Sequence, residues 1–295
     1  MSPERKRLAG HMFIGLCFLY LAVVLPPSYF IDSAIAGYFI ILADSFLRQT
    51  DPGQRVTNFR VASLLVVFTV IVIPIAESLV GAARPATMDG LFRAADMHLG
   101  LDGFALSRFC LAHAWAYYLT IGVYASLPLV MALAWIVSRS FVYLGAALGG
   151  SLLALPCYLL FPAVGPQYAF IDWPGQTAQL QAVIGAAHPR NCMPSMHFAW
   201  AALAAVNVRG RWRPLFFAYA GLMGLATVAG GEHYFIDVLA AIPFLLGLQW
   251  AARRLGRKCS SVAPSPRILA RESPGRSQMK SSSKANSDFR CLDSN

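Results

Sequence analysis

The sequence predicts an all-α protein that crosses a membrane several times. Hydrophobic residues make up 57% of the 295 residues and charged residues only 13%, and the mean hydropathy is +0.55. Several apolar runs approach or exceed the roughly 20 residues that a helix needs to cross a bilayer. These observations indicate a polytopic integral membrane protein.

Eight apolar runs are predicted to span the membrane. The run at 29–47 is the weakest of them, because it is short and carries Asp32 and Asp44. We expect a kink at Pro74 in one run, and another contains Pro128. Ala34-Ile35-Ala36 resembles a processing site but lies too far past the first run to favour a cleaved signal peptide. The predicted spans cover residues 12–25, 29–47, 61–80, 109–137, 141–161, 194–208, 214–228 and 234–250.

The remaining segments are predicted to lie outside the bilayer or at its surface. Residues 48–60 read as a polar, basic loop. Residues 88–106 mix acidic with large apolar residues, a pattern typical of an interfacial amphipathic helix. A longer connection at 162–193 carries almost no charge, and the tail from 253 onward is rich in Ser, Pro, Lys and Arg. Such a tail cannot build a core, so we expect it to be disordered.

The net charge of +10 reflects membrane topology, and we expect no nucleic-acid partner. If all eight runs cross, 20 of the 24 Lys and Arg residues fall on the side of the N-terminus. The positive-inside rule makes that side cytoplasmic. We therefore expect a protein of the plasma (inner) membrane, with the starts of the 194 and 234 spans at the non-cytoplasmic face. The other side receives only Arg84, Arg93, Arg108 and Arg190.

The cysteines are predicted to be structural or incidental. They fall mostly inside apolar runs or in the tail, with neither metal-ligand spacing nor a disulfide framework. We expect no metal centre and no cofactor. The six are Cys17, Cys110, Cys157, Cys192, Cys259 and Cys291.

The stretch Arg190-Asn191-Cys192-Met193-Pro194-Ser195-Met196-His197 opens one of the apolar runs. Pro194 suits the first turn of a helix, where its missing N–H costs no hydrogen bond. Ser195 and His197 are then predicted in that turn, beside unpaired backbone N–H groups and the positive end of the helix dipole. A helix start of this kind is a natural anion site.

A second polar cluster, at residues 230–237, contains His233 and Asp237 four residues apart. On a helix these two side chains share a face and can meet. Taken alone, His197 could be an interfacial histidine bonded to a carbonyl, and His233–Asp237 a structural pair. Because both histidines are predicted at helix starts on one membrane face, the joint pattern indicates phosphoryl chemistry.

These motifs resemble those of the type 2 phosphatidic acid phosphatase superfamily. Pro194-Ser195-Met196-His197 is similar to its Pro-Ser-x-His motif, and His233-x-x-x-Asp237 to its other catalytic motif. Three further patterns resemble the inositol phosphorylceramide synthase-like branch: Gly-x-x-His-Tyr-x-x-Asp at 230–237, Phe-Pro-Ala-x-Gly-Pro at 161–166 and Asp-x-x-Leu-Gly-Leu-Asp at 96–102. The resemblance covers roughly residues 60–252. It implies a six-helix phosphatase-like core, to which this chain adds two N-terminal transmembrane helices.

The resemblance also implies the roles of the site residues. His233 would be the nucleophile and form a phosphohistidine, with Asp237 holding the other ring nitrogen. His197 would donate a proton to the leaving oxygen. Ser195 and nearby backbone N–H groups would bind the phosphoryl oxygens. No metal is required by this mechanism.

The chain departs from the pattern of the larger branch at two places. Thr227 stands where that branch has an arginine six residues before the nucleophilic histidine. Glu77-x6-Arg84-Pro85 has the spacing of a Lys-x6-Arg-Pro motif, but glutamate cannot donate to phosphate, and we interpret the match as coincidental. Arg190, and after it Arg84, are then the candidate phosphate-binding cations.

The predicted organisation is an N-terminal segment at 1–59, a catalytic membrane domain at 60–252 and a cytoplasmic tail at 253–295. We expect an enzyme that acts on a lipid phosphoester or phosphoanhydride. Water as acceptor would make it a phosphatase and an alcohol a phosphotransferase, and the sequence leaves both open, together with the substrate lipid and the oligomeric state. A transporter or scaffold with a dead site is the alternative of a different class.

Overall fold

The computed structural model describes residues 29–47, 52–67, 72–175 and 189–262, and this part of the chain is helical without strands. The all-α prediction is therefore confirmed. In chain order the helices are α1 Tyr29–Leu47, α2 Pro52–Val67, α3 Ile73–Ala83, α4 Asp89–His98, α5 Gly103–Ala112, α6 Ala114–Ala125, α7 Leu127–Ser138, α8 Phe141–Leu160, α9 Pro166–Ala169, α10 Met196–Asn207, α11 Arg213–Ala229 and α12 Phe235–Val262.

Two of these helices are long and apolar enough to cross a membrane, namely α8 and the stretch Phe235–Leu255 of α12. A third crossing results if α6 and α7, bent by 55° against each other, count as one span. These helices support a membrane protein. The arrangement of six core spans plus two remains a prediction, and the run at 12–25 lies outside the described residues.

The predicted span at 109–137 is wrong as a single helix. The structure breaks it at His113 and again at Ser126, giving α5, α6 and α7. Pro128 lies in the first turn of α7, where its missing N–H is tolerated, so it begins a helix instead of bending one. The predicted amphipathic segment is also divided, because Gly100 takes a φ of +73° and Asp102 caps α5 by accepting from Ala105 N at 3.0 Å.

The N-terminal part of the chain differs from the prediction in two further places. Residues 48–60 were expected to form a loop, but from Pro52 onward they belong to α2. Pro74 lies in the first turn of α3, and residues 68–71, which the predicted kinked span would include, lie outside the described residues. In both places a proline starts a helix, the position where it removes no hydrogen bond.

A buried polar contact joins the first two helices to the turn between α7 and α8. Arg139 donates through Nη1 to Asn58 Oδ1 at 2.9 Å and through Nη2 to Asp44 Oδ2. Asn58 and Asp44 are both buried. A charge at this depth is tolerated because it is paired and hydrogen-bonded. Asp44, which weakened the case for a span at 29–47, therefore has a structural partner.

Helix α10 lies among α7, α8 and α11. It presents a series of buried small residues to them: Ala199, Ala201, Ala202, Ala204 and Ala205. Small side chains let helix backbones approach closely, which is the usual way that helices pack in membranes. The start of α10, with His197, is thereby held within the helical core.

The chain divides into a compact part over Met1–Leu255 and a second part over Gly256–Asn295. The candidate site lies in the first. Helix α12 continues to Val262, into the predicted tail, and residues 263–295 lie outside the described part of the chain. The predicted boundaries at 59/60 and 252/253 remain predictions.

Candidate active site

Helix α10 begins at Met196, later than predicted, with Ser195 as its N-cap. Ser195 Oγ accepts from Phe198 N at 3.5 Å, and the serine backbone is extended. Pro194 therefore lies before the helix. The capping side chain of Ser195, and not the proline, marks where the helix starts. The Ser195 N–H donates to the backbone carbonyl of Asp237 at 3.1 Å. This bond ties the two sequence motifs directly together.

The two histidines are in contact. His197 Nδ1 lies 3.3 Å from His233 Nε2, and the ring centroids are 5.5 Å apart. One nitrogen must donate and the other accept, so the contact couples the tautomers of the two rings. A substrate phosphoryl group that binds between the two rings has to increase the distance between these nitrogens.

Asp237 stands beside the other nitrogen of His233, but through a geometry that differs from the predicted one. Helix α12 starts at Phe235, so His233 precedes the helix and the two residues do not share a helical face. Asp237 is the third residue of the helix, and its Oδ2 accepts from Tyr234 N at 2.8 Å. This is one of the two hydrogen bonds of a capping box, the one from the N-cap N–H to the side chain of the third residue. This turn leaves Oδ2 3.6 Å from His233 Nδ1, slightly beyond hydrogen-bond distance.

His233 is buried, and burial lowers its pKa to about 4, although the nearby backbone carbonyl of Cys192 opposes the shift. The ring is therefore neutral at neutral pH, and one of its nitrogens carries a free electron pair. A neutral imidazole with an accessible lone pair is the form that a nucleophilic histidine needs.

Aromatic side chains surround His197. Tyr124, near the end of α6, stacks on its ring at 4.6 Å and 27°, and Trp200 meets it edge-on at 6.2 Å. Stacking of this kind limits the rotamers of the histidine. The sequence analysis missed Tyr124, since nothing local to α6 marks the contact with α10.

Two buried carboxylates of α4 brace the loop that carries His233. Asp96 accepts from the backbone N–H groups of Phe235 and Ile236, each at 2.8 Å. These two N–H groups lie in the first turn of α12, where they have no acceptor within the helix. Asp89 accepts from the Tyr234 hydroxyl at 2.8 Å. Asp89 also accepts from the N–H groups of Val164 and Gly165. The sequence analysis counted both carboxylates as part of an amphipathic helix, and Asp96 also as part of the 96–102 motif, but predicted no contact with the loop of His233.

Two glycines interlock the 161–166 and 230–237 motifs. Gly231 has a φ of +78°, and a Cβ there would lie 2.7 Å from Gln167 Cβ and from the Trp173 ring. Gly165 has a φ of +97°, and a Cβ there would lie 2.6 Å from the carbonyl of Glu232. Only glycine allows both the backbone conformation and the close approach. The Gln167 N–H then donates to Gly231 O at 3.1 Å.

Glu232 lies between the interlocked loops. Its Oε1 accepts from the Tyr168 hydroxyl at 2.9 Å and from Gln167 Nε2. Burial raises the pKa of Glu232 to about 7, while these two hydrogen bonds act against the shift. Burial therefore favours the protonated form of this carboxyl group more than in an exposed glutamate.

The segment Glu77-x6-Arg84-Pro85, whose spacing we interpreted as a chance match, packs against the stretch that leads into α10. Arg190 Nη2 donates to the Pro85 carbonyl at 3.4 Å, and Glu77 is hydrogen-bonded to Asn191. Arg190 is buried, whereas Arg84 is exposed and ends α3 through a bond from its N–H to Val80 O. Of the two candidate cations, Arg190 is the one in the interior.

A small pocket on the side of α4 and α5 is lined in part by His233. Both charged and aromatic groups border it. Arg93 lies 4.0 Å from the ring of Phe104 and pairs with Asp172 at 3.2 Å. The lining residues include Arg93, Asp96, Asp102, Phe104, Trp173 and Tyr234.

Among the described cysteines, Cys192 is the one that lies beside His233 and Asp237. It is buried, and its Sγ donates to the Glu232 carbonyl at 3.3 Å. Burial raises the pKa of this thiol, which keeps its proton for that bond. Its Sγ, a ring nitrogen of His233 and a carboxylate oxygen of Asp237 all lie within 4.8 Å of one another. Sequence spacing could not reveal this group, because the tertiary fold alone brings residue 192 to residues 233 and 237.

Comparison with known proteins yields one family. A family model described as PAP2 superfamily matches residues 91–251, more than half of the chain and including both histidines. Neither the curated proteins nor the solved structures contain a match.

Proposed function

This chain belongs to the PAP2 superfamily, and from that membership we propose that it is a membrane enzyme that cleaves a lipid phosphoester or phosphoanhydride through a phosphohistidine. Family membership indicates a phosphatase-type function. The observation that carries the finer proposal is the contact of His197 Nδ1 with His233 Nε2 at 3.3 Å, beside a buried carboxylate. A general acid and a nucleophile for one phosphorus atom need this proximity.

In the proposed reaction His233 Nε2 attacks phosphorus, the N–P bond forms and the bond to the leaving oxygen breaks. His197 supplies the proton to that oxygen. Asp237 stabilises the positive charge that develops on the His233 ring, since its carboxylate faces Nδ1. The acceptor hydroxyl then attacks the phosphohistidine and returns a proton to His197. Trp200 and Tyr124 keep the His197 ring in place during both steps.

The phosphoryl oxygens are proposed to bind at the start of α10, where the Ser195 hydroxyl and the helix dipole favour an anion. Arg190 is the cation proposed to bind the phosphoryl oxygens. Its side chain is buried, and it lies in the stretch that leads to α10, two residues before Cys192. Arg84 is the second candidate; it is exposed in the structure and would have to move towards the substrate.

A second candidate function, transfer of a lipid headgroup phosphate to an alcohol, is favoured by the charge around the site. Glu77 and Thr227 stand where the larger branch of the family has cations, and Glu232 and Asp89 lie close by. A site poor in cations disfavours a dianionic phosphate monoester relative to a monoanionic phosphodiester. A diester donor releases one alcohol, which His197 protonates, and leaves the phosphoryl group with its second ester on His233. That group then passes to an acceptor alcohol, whose proton returns to His197.

Turnover of a panel of lipids tests the proposal. The purified protein is incubated with phosphate monoesters, diphosphates and phosphodiesters, with and without added polyols, and the products are separated into free phosphate and transferred headgroup. Acid-quenched samples are assayed for phosphohistidine. Failure of every lipid class to give turnover or phosphoenzyme would favour the transporter or scaffold alternative.

We expect full activity in the presence of EDTA. Histidine nitrogens, an arginine and helix-start N–H groups handle the phosphoryl charge in the proposed mechanism, so no step needs a metal. The measurement is turnover of the best lipid before and after dialysis against EDTA. A loss of activity that only a divalent cation restores would contradict the metal-free mechanism.

The topology predicts which loops face the outside. Cys192 is unsuited to labelling, because it is buried to 1% exposure. Ile171, which is 70% exposed in the connection after α9, and Arg211, exposed in the turn before α11, are better positions for single cysteines. We expect a membrane-impermeant thiol reagent to label Ile171→Cys in intact cells and Arg211→Cys only after permeabilisation. The reverse pattern would invert the topology.

A further inference from the structure

Three potential metal ligands from two loops converge behind the proposed nucleophile. Cys192 Sγ, a His233 ring nitrogen and an Asp237 carboxylate oxygen lie within 4.8 Å of one another, and the three residues are 1%, 3% and 0% exposed. Thiolate, imidazole and carboxylate are the three ligand types that bind Zn²⁺, whereas Mg²⁺ and Ca²⁺ prefer oxygen alone.

Two atoms of this cluster are unsatisfied. Among the described residues, His233 Nδ1 and Asp237 Oδ1 are buried and have no partner in hydrogen-bond geometry, although the Cys192 carbonyl lies near the His233 ring. Buried polar atoms without a partner are uncommon and costly, and each calls for an explanation. The Nδ1–Oδ2 distance of 3.6 Å is too long for a hydrogen bond. It is close to the separation of about 3.3 Å between two ligands of a tetrahedral zinc ion with bonds of about 2.0 Å.

The cluster borders a small pocket on the side of α4 and α5. His233 and Tyr234 line this pocket together with Asp96, Asp102 and Arg93. A metal ion bound by the three residues would keep a fourth position for water.

We propose that Cys192, His233 and Asp237 form an inhibitory Zn²⁺ site. The inhibition rests on the proposed function, whereas the binding does not. Zn²⁺ displaces the thiol proton, which is released to solvent, and the thiolate, Nδ1 and a carboxylate oxygen coordinate the ion. An imidazole that coordinates through Nδ1 carries its proton on Nε2. Nε2 then has no electron pair with which to attack phosphorus, so the metal-bound enzyme cannot form the phosphohistidine.

The binding test uses Cd²⁺ as a spectroscopic probe of the purified full-length protein. Coordination by Cys192 is expected to produce the ultraviolet charge-transfer band of a cadmium thiolate, and Zn²⁺ is expected to remove the band by competition. Cys192→Ser keeps a hydroxyl donor for the Glu232 carbonyl but lacks the thiolate, so the band should disappear. Cys110→Ser changes another buried free cysteine and should keep it. A band that survives in Cys192→Ser, or that never forms in the wild type, would overturn the site.

The activity test compares the Zn²⁺ concentration that halves turnover in the wild type, Cys192→Ser and Cys110→Ser, each relative to its own metal-free rate. Loss of one ligand is expected to raise that concentration by about tenfold or more in Cys192→Ser alone. Equal sensitivity of all three proteins would overturn the inhibitory role. A cadmium band in a protein that turns over no lipid and forms no phosphoenzyme would instead contradict the proposed function and leave the metal site standing.

Discussion

His233→Ala is expected to abolish both turnover and the trapped phosphoenzyme. The structure gives His233 the properties of a nucleophile: it is neutral because burial lowers its pKa to about 4, and its Nε2 faces His197. His197→Ala should lose about 10²–10⁴-fold in rate with a lipid alkoxide as leaving group, the usual contribution of a general acid. The measurements are the steady-state rate and the amount of acid-quenched phosphohistidine.

The leaving group separates the roles of the two histidines. An activated aryl phosphate departs without protonation, so it should recover part of the rate in His197→Ala and none in His233→Ala. Asp237→Asn should leave the protein folded but slow phosphoenzyme formation, because a neutral amide does not stabilise the positive charge that develops on the His233 ring. A phosphoenzyme that persists in His233→Ala and is absent from His197→Ala would exchange the two assignments.

Gly231→Ala is expected to be the most damaging substitution outside the histidines and Asp237. A residue with a Cβ pays about 1–3 kcal/mol of conformational free energy at this positive φ. The new methyl group would also lie 2.7 Å from Gln167 Cβ and from the Trp173 ring. The loop that carries His233 must then shift, and a displacement of about 1 Å in a catalytic group can cost about 10²-fold in rate. We expect both turnover and thermal stability to fall, measured in the same detergent.

Gly221→Ala is the matched control. Gly221 lies in the middle of α11, and a Cβ there would meet nothing within 4 Å. Alanine in an open helical position should leave the rate unchanged and stabilise the protein by about 0.5–1 kcal/mol. If Gly231→Ala behaved like this control, the interlocking of the two motif loops would have no role in placing His233.

The class of the protein and the residues of its site were predictable from local features of the sequence. Apolar runs and low charge indicate membrane helices because a bilayer imposes one length and one polarity on them. The spacing within each of the two histidine motifs is short, so each motif carries its own geometry. For this reason His197, His233 and Asp237 could be named together, and the structure brings them together.

The helix boundaries were predicted less well, because three prolines outside the histidine motifs were not interpreted as helix starts. Pro52, Pro74 and Pro128 all lie in first turns, where they start helices. A hydropathy run continues through such a break, since a bend in the backbone does not change the composition of the segment. The run at 109–137 therefore looked like one span although its helices turn by 55° at Ser126.

Tertiary structure alone decided what surrounds the reacting groups. Asp89 and Asp96 accept hydrogen bonds from residues next to His233, although they lie about 140 residues away along the chain. Cys192 comes close to Asp237 only in the folded chain. In the sequence Glu77 stands at the lysine position of a Lys-x6-Arg-Pro pattern. In the structure its side chain is hydrogen-bonded to Asn191. Hydropathy and motif spacing report on neighbours along the chain, whereas hydrogen bonds to buried carboxylates depend on which helices pack together. The sequence by itself therefore determined the helical class and the candidate site residues, and packing determined how those residues are held and buried.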